Sequence, residues 1–466
     1  MKLTRAFALA LAVLPALALP VHDNSFPYIG VKVLRIPTGN STTALDDIVA
    51  QFDLSSWTAV SRPNSHIDVE VPKYKFAAFT KAAQTILSEE GITFPIETMH
   101  EDLAASIRKE SEYLLASSKK VVNLDVEGEA ALVGLANQAW FNSYHSYVDH
   151  LTFLDDLVAT FPNNARIVSS GTSVGGRDIK GINIFGSSGS GAKPAVIWHG
   201  TVHAREWISS MTNEYLAYSL LNNYANSTEV KSYVDNYDFY IFPVVNPDGF
   251  VYSQTTTRLW RKNRQSPPSG STCFGRDINR NWNIGWAQTN GASTNPCSET
   301  FKVLSFALLT LHLHLLTIVI QGLAAHDARE TQGLSAFLNA RASSPAGAKL
   351  YIDWHSYSQL FMHPYGYSCT KVAADNTELG QLGAGFSNAL RAVYGTRFTT
   401  GPSCTTIYPA TGVSVDYAYD VSGIKYAYTA ELRDTGANGF VLPASQIRPS
   451  GEEVWAGVKY LLANLR

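Results

Sequence analysis

The chain has 466 residues, of which 45% are hydrophobic and only 16% charged, and its formal net charge is −3. That length exceeds what one ordinary core organises and predicts two or three parts. The apolar fraction excludes a disordered chain, and the near-neutral balance excludes a basic nucleic-acid-binding face.

At the N-terminus, Met1-Lys2 and Arg5 precede an apolar run from Ala6 to Leu19, with small residues at Ala16-Leu17-Ala18. This is the pattern of a secretory signal peptide over residues 1–18, too short and too small-ended for a membrane span. Export makes the even set Cys273, Cys297, Cys369 and Cys404 readable as disulfides. It also makes the Asn-x-Ser/Thr triplets at Asn40 and Asn226 candidate glycan acceptors.

Residues 19–118 read as a small unit of their own. Tyr28 to Ile36 alternates like a strand, and Thr42 to Phe52 carries Leu45, Ile48, Val49 and Phe52 at helical spacing. Short runs at Trp57 to Val60 and His66 to Val71 flank the turn Arg62-Pro63-Asn64-Ser65. Pro72 to Glu90 is helical, and Ile92 to Met99 is the last strand. The order strand, helix, strand, strand, helix, strand predicts a ferredoxin-like α+β sandwich. The charged stretch His100 to Ala116 reads as an exposed connecting helix. Lys119-Lys120 follows as a protease-sensitive junction.

Residues 119–466 change character. Apolar strands at Ala195 to His199, Asp238 to Val245, Leu350 to Trp354 and Tyr426 to Leu432 alternate with helices such as Thr212 to Leu221 and Glu453 to Leu465. This predicts an α/β domain with a twisted, mixed but mostly parallel sheet flanked by helices, its site at the strand ends. Val303 to Ile320 is an uncharged apolar run long enough for a membrane span, though His312 and His314 interrupt it.

The chemistry-bearing residues cluster at predicted strand ends. His203-Ala-Arg-Glu206 follows one strand and His355 closes another, and two imidazoles plus a carboxylate form a zinc set with an open fourth position. Alone, His-x-x-Glu equally fits a packed histidine beside a surface glutamate. Arg258 and Arg261, then Asp277-Ile-Asn279-Arg280, offer guanidinium and amide groups suited to a carboxylate, although an isolated arginine more often pairs with a local acid. Glu431 closes the last strand and Tyr408 sits in a polar loop. Each, by itself, also fits an ordinary surface residue.

Together and in this order, His203-Ala-Arg-Glu206, Asp277-x-Asn-Arg280-Asn-Trp, His355-Ser-Tyr357 and Glu431-Leu-Arg-Asp-Thr-Gly resemble the zinc carboxypeptidases of the pancreatic A/B (funnelin) family, most of all secreted fungal members. The resemblance covers nearly the whole chain. It implies a zymogen whose propeptide precedes a one-zinc catalytic domain, acting on peptide and protein C-termini as a monomer after an endoprotease removes the propeptide. By the same resemblance His203, Glu206 and His355 bind zinc, and Asp277 orients His203. Asn279 and Arg280 hold the substrate's terminal carboxylate, Arg261 faces the scissile carbonyl, and Glu431 is the general base and acid. Tyr408 closes over the bound residue, while Arg205 and Tyr357 contact residues further up the peptide. Val415 falls where cutters of basic residues carry an acid, which implies preference for aliphatic or aromatic C-termini. Val413 replaces a usual glycine and narrows the pocket, beside Met362 and Gly366. Cys273 with Cys297, and Cys369 with Cys404, match disulfides of the family.

Two departures stand out. Arg329 occupies a place where the family often has proline. The apolar segment interrupts the family pattern between Lys302 and Gly322, and Val303 to Gln321 is expected to be a translated in-frame intron. The rival expectations are a non-catalytic relative that keeps the fold for binding, and a membrane-anchored protein held by residues 303–320.

Overall fold

In the computed structural model, residues 23–58, 62–111, 138–286, 291–302 and 325–466 are described. The expected leader, the Lys119-Lys120 junction and the segment from Val303 to Gln321 lie outside the described residues.

The N-terminal unit runs β1 (Val31–Pro37), α1 (Thr43–Gln51), β2 (Ser55–Ser56), β3 (His66–Pro72), α2 (Lys73–Glu89) and β4 (Glu97–His100). Its sheet has the order β2-β3-β1-β4, every pair antiparallel, which is the expected open sandwich. Alternation along the strands serves two cores at once. Leu34, Ile36, Ile67, Val69 and Val71 pack beneath Phe79, Ala83 and Leu87 of α2. On the opposite face, Val31 and Val33 join Trp57 in a second cluster with Leu259, Phe440 and Val441 of the larger domain.

Three local expectations change. β2 is only Ser55–Ser56, with the Trp57 N–H still donating to the Asp68 carbonyl at 2.8 Å while its indole turns into the interface, donating to Glu70 at 2.8 Å and packing 5.4 Å from the Phe440 ring; Ala59 and Val60 lie outside the described residues. The last strand begins at Glu97 rather than Ile92, since Ile92 and Ile96 pack into the helical layer instead. The connecting helix, α3 (residues 103–111), is not simply exposed. Leu103, Ala104 and Ile107 are buried in the interface cluster. Glu110 is buried too, accepting from Arg258 Nε at 2.6 Å and Nη2 at 2.9 Å.

The larger domain is built on an eight-stranded sheet of order β11-β10-β12-β9-β7-β8-β6-β5. The strands are β5 (Ala165–Thr172), β6 (Asp178–Ile184), β7 (Ala195–Gly200), β8 (Asp238–Phe242), β9 (Ala348–Ser356), β10 (Leu360–His363), β11 (Thr399–Pro402) and β12 (Tyr426–Leu432). Its centre, β12-β9-β7-β8, is parallel and buried except at Ala348, Lys349 and Glu431, which is why those strands read as largely apolar runs. The antiparallel partners β5, β6 and β10 lie towards the edges. Between them run α4 (Tyr147–Thr160), α5 (Trp207–Tyr224), α6 (Thr228–Asn236), α7 (Pro247–Thr255), α8 (Arg329–Ala342), α9 (Asn376–Tyr394), α10 (Ser403–Thr406), α11 (Ser414–Asp420) and α12 (Ile447–Asn464). One core packs α4, α5, α9 and α12 on one sheet face, and a second packs Leu334 and Leu338 of α8 with Val415 and Ala418 of α11 on the other. Cys273 is bonded to Cys297 and Cys369 to Cys404. Among the described residues no helix is long and apolar enough to cross a membrane.

The Glu110–Arg258 pair ties α3 to the larger domain, with the guanidinium stacked 3.6 Å from the Trp207 ring. Removing one member of a buried pair leaves the other charge without a partner, at a cost of about 3–5 kcal/mol. Glu110→Ala is therefore expected to lower the thermal midpoint of the full chain by several degrees in calorimetry, and an unchanged midpoint would show that the pair carries no such weight.

Candidate metal centre

Sheet register decides where the candidate metal-ligating groups meet. Gly200 of β7 lies opposite Trp354 of β9, and His355 of β9 lies opposite Glu431 of β12, so three strand ends open onto one cleft. The turn after β7 is pinned by the Thr201 hydroxyl, which donates to the Pro243 carbonyl at 2.9 Å. The Thr201 N–H donates in turn to the Ser209 hydroxyl at 2.8 Å. That turn delivers His203, and Glu206 stands at the N-terminal end of α5 without a side-chain capping bond, where a helix end favours a carboxylate.

His203, Glu206 and His355 offer ligand atoms that all lie within 4.8 Å of one another, and all three side chains are buried. The two Nδ1 atoms face each other at 3.1 Å. The Glu206 carboxylate spans them, 2.7 Å from His203 and 3.0 Å from His355. Two nitrogens and a carboxylate converging on one point are a donor set suited to Zn²⁺. Burial alone would raise the Glu206 carboxyl, but the adjacent imidazoles hold it well below the usual carboxylate range. Burial alone would lower His355, yet Asp353 and Glu206 hold it well above the ordinary histidine value. A cation entering this set takes the place of that proton.

The far ring nitrogens also face carboxylates. His203 Nε2 lies 3.2 Å from Asp277, the expected partner, and His355 Nε2 lies 3.0 Å from Asp353, whose part the sequence reading missed. The available signal was Asp-x-His at the end of a strand, since residues two apart share a face. Asp277 also accepts from Arg261 Nε at 3.2 Å and Nη2 at 2.9 Å, while Arg261 Nη1 stands 3.9 Å from Glu206.

Arg280 donates through Nε to the Gly291 carbonyl at 2.6 Å and through Nη1 to the Asn279 carbonyl at 2.8 Å. Its buried Nη2 has no hydrogen-bond partner among the described residues, a donor left for an incoming acceptor. Gly412, at φ +69°, lets its loop press on Arg280, because a Cβ there would stand 2.6 Å from the Arg280 carbonyl oxygen. Tyr408 places its ring 5.9 Å from the guanidinium. These groups border a pocket of about 430 Å³ walled by Met362, Gly366, Ile407, Val413 and Val415 and reaching His355 and Glu431. A Cβ at Gly366 would stand 3.1 Å from Val413, so these two residues meet across the pocket. Burial and the Glu206 charge push the Glu431 carboxyl up to about 8, and a cation in the donor set would draw it back down.

Arg205 is buried beneath Phe440, 4.2 Å from its ring, and keeps Nε and Nη2 without partners among the described residues. Tyr357 packs 4.9 Å from the same ring and donates its hydroxyl to Asp68 of the N-terminal unit. Asp68 is itself gripped by Arg35 at 2.8 and 2.7 Å, and Arg62 reaches the Thr406 carbonyl at 2.7 Å. Trp57, His66 and Asp68 thereby line the same cleft as Glu206, Arg261 and Glu431.

A model of the family described as zinc carboxypeptidase matches residues 150–457. The chain is 42% identical over 439 residues to metallocarboxypeptidase A of Trichophyton tonsurans, covering 94% of this chain and 93% of that one. It is 34% identical over 445 residues to carboxypeptidase A4 of Mus musculus, covering 94% of each. The crystal structure of thrombin activatable fibrinolysis inhibitor superposes with a TM-score of 0.77 at 25% identity, over 94% of this chain and 98% of that one.

A buried carboxyl backs the pocket wall at Gly366. Asp416 is buried and accepts from the Gly366 N–H at 2.9 Å and the Tyr367 N–H at 3.0 Å. Burial pushes its carboxyl up to about 7 despite those amides. A carboxyl raised in the folded state loses stability as pH rises from its unfolded value to its folded one. The thermal midpoint is therefore expected to fall between about pH 4 and 7 more steeply in the wild type than in Asp416→Asn. Parallel curves for the two proteins would show that Asp416 does not titrate in that window.

Proposed function

The chain belongs to the zinc carboxypeptidase family, and on that footing we propose that it is a secreted, A-type exopeptidase made as a zymogen, which removes aliphatic and aromatic residues one at a time from peptide C-termini. The observation that carries this reading is the juxtaposition of the His203, Glu206 and His355 donor set with an apolar pocket that ends at the unpartnered Arg280 Nη2.

His203, Glu206 and His355 would hold one zinc ion. When bound, the ion supplies Lewis-acid polarisation of the scissile carbonyl and acidifies a water. The rest is work for the chain's own side chains. Arg280 and Asn279 receive the free carboxylate, and this sets the register so that only the last peptide bond reaches the centre. Tyr408 covers the bound residue, whose side chain enters the pocket. With Val413, Val415 and Met362 in its wall, the pocket holds no acid other than Glu431 to pair with a lysine or arginine side chain. Arg261, held along one edge by Asp277, steadies charge developing on the carbonyl oxygen, where one donor is typically worth ~3–4 kcal/mol. Glu431 takes a proton from the attacking water and hands it to the departing amine. Arg205 and Tyr357 contact residues further up the peptide.

The domain boundaries proposed are a leader at 1–18, a propeptide at 19–118 and a catalytic domain at 119–466. Asp68, Trp57 and Arg62 occupy the mouth of the cleft, which supports a precursor that an endoprotease must open. The leader pattern and the two disulfides support export, with glycans at Asn40 and Asn226 as part of the same proposal.

The test is a peptide ladder read by mass after limited proteolysis of the full chain. Single-residue losses from the C-terminus are expected, fastest for Leu- and Phe-ended peptides, absent before proteolysis and abolished by a chelator until Zn²⁺ is restored. Internal cleavage, or turnover that survives complete metal removal, sinks the proposal. Glu431→Gln is expected to keep its zinc while kcat falls by ~10²–10⁴-fold. A near-normal kcat would reassign the proton transfer.

A further inference from the structure

We infer that Asp353 and Ser414 form a second positioning clamp on the metal site, one that fixes the ring of His355 as Asp277 fixes that of His203. The inference rests on the zinc reading above and concerns two residues that reading does not use.

Asp353 and His355 stand two apart near the end of β9 and share one face of the strand. Asp353 Oδ2 lies 3.0 Å from His355 Nε2, and both side chains are buried. The same oxygen accepts from the Ser414 hydroxyl, and the Ser414 N–H donates to Asn279 Oδ1 at 2.9 Å. That second bond fixes the Asn279 amide with its nitrogen towards His355, 3.2 Å from Nε2. Nε2 therefore meets a carboxylate and an amide donor at once, and no single tautomer satisfies both. Were Nε2 bare, its lone pair would face a buried carboxylate oxygen at 3.0 Å. With the hydrogen on Nε2, the imidazole donates to Asp353, and a charge-assisted bond outweighs the neutral amide contact. Nδ1 is then the atom left to face Glu206 and His203 Nδ1, which is the geometry observed.

Two features make Asp353 more than a core polar residue. Its Oδ1 is buried without a hydrogen-bond partner among the described residues, where the carboxylate is held through Oδ2, by His355 and Ser414. Ser414 also starts α11, directly between Val413 and Val415 of the pocket wall. One hydroxyl and one amide thus join the ring orientation of a metal-ligating histidine to the placement of Asn279, on the arm that receives the substrate carboxylate.

The test measures zinc affinity of the full chain by competition with a chromogenic chelator, beside the visible spectrum of the Co²⁺-loaded form and the thermal midpoint of the metal-free form. Asp353→Asn keeps the size of the side chain but loses the carboxylate, and a zinc Kd raised about 10–100-fold is expected. The Co²⁺ bands should shift while the metal-free midpoint stays near that of the wild type. Ser414→Ala, which leaves the carboxylate in place, should raise the Kd several-fold and provides the reading if Asp353→Asn does not fold. Wild-type zinc affinity and an unshifted Co²⁺ spectrum in the folded variants would overturn the inference, with Asp277→Asn as the positive control. Failure of the underlying zinc reading would show separately, as wild-type chain that takes up no zinc.

Discussion

Two imidazole nitrogens 3.1 Å apart, with one carboxylate between them, form an arrangement that a buried site tolerates only when a cation or proton holds it together. Everything around it is organised to bear that cost. The three groups come from β7, the start of α5 and the end of β9, so the strands must keep their parallel register to better than one residue. A one-residue slip would send His355 to the opposite face of the sheet. The apolar centre of the sheet, packed by helices on both faces, supplies the stiffness that the site itself lacks.

The polar groups next to the site share out the remaining demands for hydrogen bonds. Asp277 serves His203 and Arg261 together, and Asp353 serves His355 and Ser414. A buried network of this kind is favourable only while nearly all its members are satisfied. Among the described residues the exceptions include nitrogens of Arg280, which lines the pocket beside His355 and Glu431, and of Arg205. They mark where the fold leaves bonding capacity for something other than itself.

Much of this was legible in the sequence because the candidate metal ligands and the proposed carboxylate-binding residues sit in compact motifs at strand ends, and the βαββαβ order of the N-terminal unit follows from simple periodicity. The parallel strands β7, β8, β9 and β12 announced themselves as apolar runs. What escaped were features fixed by contacts between distant segments. The edge strands β5 and β11 are only partly buried and have weaker patterns, and β10 is buried but only four residues long. The Glu110–Arg258 pair joins residues 148 positions apart, so the charged sequence of α3 looked merely exposed. The Trp57 indole packs against Phe440 across the interface, a contact between distant segments that the local pattern of its short run does not announce. Asp353 was visible inside a quoted motif, but its part became readable only once Ser414 was seen on its far side.

The way α3 is fastened bears on what a single cut after it can accomplish. Leu103, Ala104 and Ile107 are buried against the larger domain, and Glu110 is locked under Arg258, all of them on the N-terminal side of such a cut. Severing the backbone would therefore change the molecularity of the contact before it changed the contact itself. A tethered partner, present at a millimolar effective concentration, would become a free one that must diffuse away. Opening of the cleft would then depend on dilution, or on further trimming of the released piece, with a delay set by its off-rate.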